Sequence, residues 1–178
     1  MDEIFSIFDH IDNSTVKDLM RFNRKRPGVK DLTIVINSYG GEIFAAQQIM
    51  SIMKNYNTTV YVDGVAASAA AVIALSADVV YMTHNSYLLL HSVQNVQDIQ
   101  MRRRLNAQFS AFIKRFDARP YFNTDDPDKE YLFGATDCIN REWIDGIKEF
   151  NEYSLITAER KVLPALARQR TLMDIVRR

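Results

Sequence analysis

A serine and a histidine each follow a hydrophobic segment and could act as a nucleophile and its general base. Ser68 lies in GVAAS, after TTVYVDG and at the start of the alanine-rich stretch ASAAAVIALSA, and His91 directly follows YLLL. A serine at a strand-to-helix bend exposes its hydroxyl, has a helix N-terminus that stabilises negative charge, and has small neighbours that admit a substrate. The alternative for Ser68 is a helix N-cap, a common role of serine.

The chain has three histidines, and their positions distinguish them as bases. His10 lies in the N-terminal segment beside no predicted strand end, and His84 lies in the turn THNS. His91 ends a short apolar strand that we expect beside the strand leading to Ser68. Its imidazole and the serine would then share the carboxyl edge of the sheet, where open α/β sheets bind ligands. A structural role is the alternative for His91.

A pair of glycines, Gly40 and Gly41, lies between the segment LTIVIN and a helical pattern. Successive glycines let backbone N–H groups approach a ligand at the same sheet edge, although they can also form only a tight connection. No Gly-Lys-Ser/Thr follows, which excludes a Walker phosphate loop. We expect no cofactor.

The elements that must position these residues alternate between strand and helix patterns. β-branched apolar segments typical of buried strands alternate with apolar residues at helical spacing, which predicts right-handed crossovers and a mostly parallel α/β sheet. The first helix should begin with Ser14 or Thr15 as its cap. The expected strands are 32–37, 58–64, 78–83 and 86–91, and the expected helices are 14–24, 43–56, 67–77 and a long one at 94–118 with an apolar stripe of Leu105, Phe109, Phe112, Ile113 and Phe116.

Composition narrows the setting in which this chemistry would occur. The 178 residues are 47% hydrophobic and 25% charged, which is typical of one soluble globular domain. Equal numbers of basic and acidic residues, 22 each, argue against a nucleic acid or membrane partner. The single cysteine, Cys138, excludes an internal disulfide and a multi-cysteine metal site. With no signal peptide and no run of roughly 20 apolar residues, we expect a cytoplasmic protein without a metal.

Three motifs in order resemble a known family. INSYGG, GVAASAAA and NSYLLLH are similar to the INSPGG, G-x-AAS-M-G and NS-x-x-x-x-H signatures of ClpP, the proteolytic subunit of Clp proteases, over roughly residues 8 to 150. The resemblance implies a crotonase-like fold of repeated β-α-β units, serine peptidase chemistry and stacked rings around a degradation chamber. It also implies that Ser68 is the nucleophile, His91 the base, and the N–H groups of Gly41 and Ala69 the oxyanion hole.

The third member of the implied triad is less well matched. YLFGATDCINREWIDGI resembles the family's closing segment, with Asp137 at the position of a glutamate. Counting back without gaps places Glu130 at the catalytic acid, which is the first choice, and a gap of two places Asp128 there. The alternative is that both are solvated loop acids and that His91 has no acidic partner.

Other departures from the family concern assembly and partners. Tyr39 replaces a proline in the glycine loop, and Ala70 replaces a glycine. The first strand and the pore loops are expected to be almost absent, because Met1 lies near the first helix, and this argues against docking of a standard AAA+ unfoldase. The domain should cover 1–150, and 151–178 should be a helical extension interrupted at Pro164. This extension is expected to pack on the domain or on a neighbouring subunit. Because 157–178 contain six basic and two acidic residues, the alternative is that it binds an anionic partner.

Three functions are compatible with this pattern. The first is a serine endopeptidase that cleaves peptides or unfolded proteins inside a ring-shaped homo-oligomer. The second is a catalytically inactive scaffold subunit that assembles with an active paralogue. The third is a crotonase-type acyl-CoA enzyme, which predicts carboxylates rather than a serine–histidine pair near the glycine loop.

Overall fold

The computed structural model of the chain describes residues 4–149. The extension predicted at 151–178 lies outside the described residues, so its boundary stays a prediction. The strands are β1 Ile4–Ile7, β2 Asp31–Ser38, β3 Asn57–Ala67, β4 Val79–Met82, β5 Tyr87–Leu90, β6 Tyr131–Gly134 and β7 Gly146–Ile147. The helices are α1 Asn13–Arg24, α2 Ile43–Met53, α3 Ala69–Ser76, α4 Ile99–Ser110 and α5 Ala135–Asn140, with a 3₁₀ helix at Phe116–Tyr121.

One sheet organises the described part of the chain. Its strand order is β1-β2-β3-β4-β7, all parallel, with β5 parallel to the end of β3 and β6 antiparallel to β5. Helices α1, α2 and α3 form the crossovers that parallel neighbours require. The predicted α/β fold with a mostly parallel sheet is confirmed, and so is the pairing of the strand before His91 with the strand before Ser68.

Strand β3 changes partner partway along its length. Thr59–Val62 pair with β4, whereas Val65–Ala67 pair with β5. Between these halves Gly64 has φ +113°, and a Cβ atom there would lie 2.6 Å from the Asn37 side-chain oxygen, which accepts a hydrogen bond from the Val65 N–H. The glycine therefore allows the bend that directs the end of β3 towards β5.

The alanine-rich helix α3 is buried on every side. All of its residues are at most 8% exposed, so small side chains let the helix pack against the sheet and α2 at once. A helix that is apolar all round belongs in a core. None of the helices in residues 4–149 is long and apolar enough to cross a membrane.

The prediction of one long helix at 94–118 is wrong, because the helix found there is the shorter α4. Helix α4 begins at Ile99, where the Asp98 side chain accepts a hydrogen bond from the Met101 N–H at 2.7 Å. It ends at Ser110, and the Lys114 N–H then donates to the Leu75 carbonyl of α3 at 3.0 Å. Residues 91–98 before α4 have no regular structure, and the Gln94 side chain instead donates to the Pro127 carbonyl at 3.2 Å. Of the predicted stripe, Phe109 and Ile113 are buried, Leu105 and Phe112 are half-buried and Phe116 is 71% exposed.

Two expectations near the N-terminus are also corrected. A first strand, Ile4–Ile7, is present and pairs with β2 through Thr33–Ile36, although the sequence predicted almost none. Helix α1 is capped by Asp12, whose carboxylate accepts from the Ser14 N–H at 2.7 Å and the Thr15 N–H at 3.3 Å. An aspartate before the helix satisfies these donors, so neither predicted residue is the cap.

A buried tryptophan anchors the segment that follows the acidic loop. The Trp143 ring lies edge-on to Phe133 of β6, with centroids 4.8 Å apart, and to Tyr121, at 5.4 Å. Its Nε1–H donates to the Asp117 carboxylate at 2.7 Å. These contacts hold β6, and therefore the residues directly before it, against the core.

Candidate active site

Ser68 lies in a strained turn between β3 and α3. Its φ of +54° and ψ of −121° are unusual for a residue with a side chain, and such conformations cost on the order of 1–3 kcal/mol. The turn is held on both sides, because the Ser68 N–H donates to the Leu89 carbonyl of β5 at 2.8 Å and its carbonyl accepts from the Val72 N–H at 3.2 Å. The side chain makes no capping hydrogen bond, so its hydroxyl is not used as an N-cap.

The two glycines after β2 contact the turn that holds Ser68. The Ser38 hydroxyl donates to the Asp9 carbonyl at 2.7 Å and accepts from the Gly40 N–H at 3.1 Å, which fixes the loop. Gly40 has φ +95°, and a Cβ atom there would lie 2.6 Å from the Ala67 carbonyl and 3.0 Å from the Ser68 Cβ atom. Only a glycine permits this approach.

Two backbone N–H groups beside the serine are available as donors. Within residues 4–149, neither the Gly41 N–H nor the Ala69 N–H donates a hydrogen bond. Ala69 is the first residue of α3, where an N–H has no acceptor inside the helix. Free donors of this kind can stabilise an oxyanion that forms next to the Ser68 hydroxyl.

A cavity brings the predicted nucleophile and base together. Its volume is about 210 Å³, and Gly41, Ser68 and His91 all line it. Apolar side chains and the segment after the histidine complete the wall: Ile43, Ser92, Val93, Gln94, Asn95 and Phe109. The sequence prediction that these three residues share one sheet edge agrees with this arrangement.

The hydrogen bond of the His91 ring assigns its tautomer. Nδ1 lies 2.6 Å from the Ser92 carbonyl oxygen, which can only accept, so Nδ1 carries the proton. In the neutral imidazole Nε2 is then unprotonated and able to accept a proton. No hydrogen bond joins the ring to the Ser68 hydroxyl in this structure. Catalytic hydrogen bonds are often loose in free enzymes and tighten when substrate binds.

Neither candidate acid in residues 4–149 forms a hydrogen bond or ion pair with the His91 ring. Strands β5 and β6 pair Leu90 with Tyr131, so the next opposed pair in this register is His91 and Glu130. Glu130 is exposed and makes no hydrogen bond or ion pair with another residue of the described range. Asp128 is also exposed and lines a neighbouring groove instead. Within the described residues, neither acid makes a hydrogen bond or ion pair with the imidazole.

Several residues that support the site were not predicted from the sequence. The Val93 N–H donates to the side-chain oxygen of buried Asn106 at 2.7 Å, which ties the segment after His91 to α4. Arg102 donates to the Val96 carbonyl at 3.3 Å and to a carbonyl in the acidic loop at 2.7 Å. The sequence does show a polar residue, Asn106, next to the predicted apolar stripe, which could have indicated a buried hydrogen bond. It does not show that the partner is the Val93 backbone.

The other titratable groups of residues 4–149 lie outside the cavity. His84 pairs with Glu149, with Nδ1 and the carboxylate 2.6 Å apart, and its hydrogen bonds lower the pKa of Glu149. Partial burial alone would raise the pKa of Asp78, but hydrogen bonds from Lys114 and Thr58 outweigh it and lower this pKa to about 2. No group of three or more His, Cys, Asp or Glu in residues 4–149 could hold a metal ion.

Comparisons with known proteins identify relatives of this arrangement. A family model described as Clp protease matches residues 4–116. A ClpP1 mutant from Listeria monocytogenes is similar in structure, with a TM-score of 0.66 and 20% identity, covering 85% of this chain and 94% of that one. The ClpP protease catalytic domain from Plasmodium falciparum has a TM-score of 0.67 and 22% identity, covering 83% and 85%. No curated protein sequence matches the chain.

Proposed function

Because the chain belongs to the Clp protease family, whose members are serine peptidases, we propose that it is a serine endopeptidase that cleaves peptides or unfolded proteins. The observation that carries this proposal is the Ser68 turn. The Ser68 hydroxyl does not cap α3. The strained backbone instead leaves Ser68 on the wall of a cavity that His91 also lines. Strain of this kind persists where the surrounding structure holds it, and it is concentrated at active sites.

The residues of the cavity support acyl transfer. The Ser68 oxygen attacks the substrate carbonyl carbon while His91 Nε2 accepts the hydroxyl proton, and the N–H groups of Gly41 and Ala69 donate to the oxyanion. Collapse of this intermediate breaks the C–N bond, and the imidazolium returns the proton to the leaving amine. Water then hydrolyses the Ser68 ester by the same proton path. Losing one oxyanion donor in such a site typically costs about 3–4 kcal/mol.

Glu130 is the acid that we propose for orienting His91, with Asp128 as the second choice. The β5–β6 register supports Glu130, because continuing it by one residue beyond Leu90 and Tyr131 would set this glutamate opposite the histidine. In the free protein the Ser92 carbonyl holds Nδ1–H, and the same tautomer would be held by a carboxylate. Rotation of the Glu130 side chain onto Nδ1 would therefore stabilise the imidazolium without changing which nitrogen acts as the base.

A fluorophosphonate probe tests the nucleophile directly. It reacts with an activated serine hydroxyl, and digestion followed by mass spectrometry locates the modified residue. We expect modification at Ser68, loss of labelling in Ser68→Ala, and retained labelling in Ser76→Ala, in which a buried serine of the same helix is changed. Labelling at any other serine would contradict the proposal, and so would peptide hydrolysis by Ser68→Ala.

We also propose a ring-shaped homo-oligomer with the active sites facing inward, in the cytoplasm. The exposed aromatic side chains support it, because Phe44 is 66% and Phe116 is 71% exposed in the single chain. A heterologous ring contact buries one patch of a subunit against a different patch of its neighbour. Light scattering should give a multiple of the 20.5 kDa chain mass. A monomer at micromolar concentration would contradict the ring.

An inactive scaffold subunit is the second candidate. The observation that favours it is the lack of contact between His91 and either acid, Glu130 or Asp128, in the described residues. A folded oligomer that neither reacts with the probe nor cleaves any peptide would support this function over the peptidase.

A further inference from the structure

A polar groove adjoins the cavity that holds Ser68 and His91. Its volume is about 510 Å³, more than twice that of the catalytic cavity. Gln94 and Asn95 line both spaces, so the groove begins where the catalytic cavity ends. The other residues of its wall are Val96, Gln97, Arg102, Pro127 and Asp128. A peptide bound at Ser68 and extending past Gln94 and Asn95 would place a side chain in this groove.

Charges around the groove leave one carboxylate without a partner. The half-buried Arg102 guanidinium donates through its two terminal nitrogens to the carbonyls of Val96 and Asp125, while its Nε is buried without a hydrogen-bond partner. Arg103 neutralises the Asp125 carboxylate through two hydrogen bonds of 2.7 and 2.5 Å. Within residues 4–149, the Asp128 carboxylate accepts no hydrogen bond and forms no ion pair. Asp128 is therefore the exposed charged group of the wall that is available to a ligand, whereas the half-buried Arg102 already donates to carbonyl groups of the protein.

We propose that this groove binds a lysine or arginine side chain of the substrate and that Asp128 selects it, an inference that rests on the proposed peptidase function. The substrate cation would pair with the Asp128 carboxylate, and the amide oxygens of Gln94 and Gln97 offer further acceptors for its N–H groups. A glutamate or aspartate side chain at the same position would be repelled by the carboxylate. Asp128 is thus a specificity residue, and Glu130 keeps the role of the proposed triad acid.

The size of the preference follows from the exposure of Asp128. Because the carboxylate faces solvent, the pair should resemble a surface ion pair, which corresponds to about a twofold to fivefold preference. The preference should shrink as salt increases, since exposed charges are screened over about 8 Å at physiological ionic strength. It should not extend to positions of the peptide that lie outside the groove.

Peptide binding to the Ser68→Ala protein tests this without catalysis. Fluorescence anisotropy would compare peptides that are identical except for lysine, glutamine or glutamate at one position, with that position moved along the sequence. We expect one position at which lysine binds about twofold to fivefold more tightly than glutamine, and glutamate more weakly. Asp128→Asn should remove the difference, Asp128→Lys should reverse it, and Asp18→Asn, which removes the same charge from distant α1, should leave it intact.

The outcomes separate this inference from the proposed function. Equal binding of the three peptides at every position, or a preference that survives Asp128→Asn, overturns the selection by Asp128, and so does no binding at all. If the probe does not label the protein and no peptide is hydrolysed, the proposed peptidase function is overturned. A preference for lysine can still be measured in the binding experiment. If Asp128 were instead the triad acid, Asp128→Asn would lower kcat for all peptides alike rather than kcat/KM for the lysine peptide alone.

Discussion

Replacing Gly40 with alanine should damage the active site from outside the reacting groups. Gly40 does not supply a proton, a nucleophile or an oxyanion donor, but it contacts the turn that carries Ser68. An added Cβ atom would lie 2.6 Å from the Ala67 carbonyl oxygen, whereas ordinary contact begins at 3.4 Å. The neighbouring atom is backbone, so it cannot rotate away, and the loop and the turn must separate by about 0.8 Å.

The structure gives the expected size of two separate effects. An alanine at φ +95° costs about 1–2 kcal/mol of folding free energy, because L-residues are disfavoured at positive φ. In a domain of this size, that corresponds to a midpoint of thermal unfolding lower by roughly 2–8 °C. The displacement adds to this loss of stability, because the packed backbone must shift, and it also acts on catalysis, where a shift near 1 Å can cost about a hundredfold in rate. We therefore expect kcat to fall about a hundredfold in Gly40→Ala.

Gly28→Ala is the matched control for this experiment. Gly28 also has a positive φ, +83°, but a Cβ atom there meets nothing within 4 Å. It should lose the same 1–2 kcal/mol of stability while keeping full activity. Peptide hydrolysis and probe labelling would be measured for both variants well below their unfolding midpoints. A Gly40→Ala protein as active as Gly28→Ala would refute the view that the glycine loop positions the Ser68 turn.

Three further predictions concern single side chains. His91→Ala should lower kcat by orders of magnitude in a peptide hydrolysis assay, whereas His84→Ala should leave it nearly unchanged, and an essential His84 would contradict the site. Glu130→Gln should lower kcat by about 10²–10⁴-fold for every peptide and Asp128→Asn should not; equal, small effects would show that another group orients the imidazole. Asp78→Asn should lower the free energy of unfolding by about 1 kcal/mol at neutral pH, after allowance for its exposure, because folding lowers the pKa of Asp78 from 3.8 to about 2. This contribution is complete above about pH 4 and should vanish as the pH falls through 2, which denaturant unfolding at several pH values would measure.

The strands that build the catalytic edge were predictable because they are buried. Strand β2 carries the mostly apolar segment LTIVIN and strand β3 carries the β-branched and aromatic segment TTVYV, and each strand is followed by a glycine or serine turn that stands out in the sequence. The carboxyl-edge rule for parallel sheets then brings Gly41, Ser68 and His91 together without knowledge of any contact. The cavity that these residues line agrees with that reasoning.

The elements that the sequence did not predict depend on their partners. Strands β1, β6 and β7 lie at edges of the described sheet, where each pairs with a single strand, β2, β5 and β4 respectively. The position of Glu130 was equally hidden, since the chain between α4 and β6 has no repeating pattern. Its course is set by contacts such as the Lys114 N–H with the Leu75 carbonyl.

Trp143 is the single tryptophan of the chain, which makes it an optical reporter of a known place in the molecule. An indole in apolar surroundings emits at shorter wavelength than one in water, and this ring is fully buried against Phe133 of β6. Its emission therefore reports whether β6 is docked, and with it the residue directly before β6, Glu130. The emission maximum of unlabelled protein can thus reveal whether peptide binding or assembly moves β6 and the Glu130 segment before it.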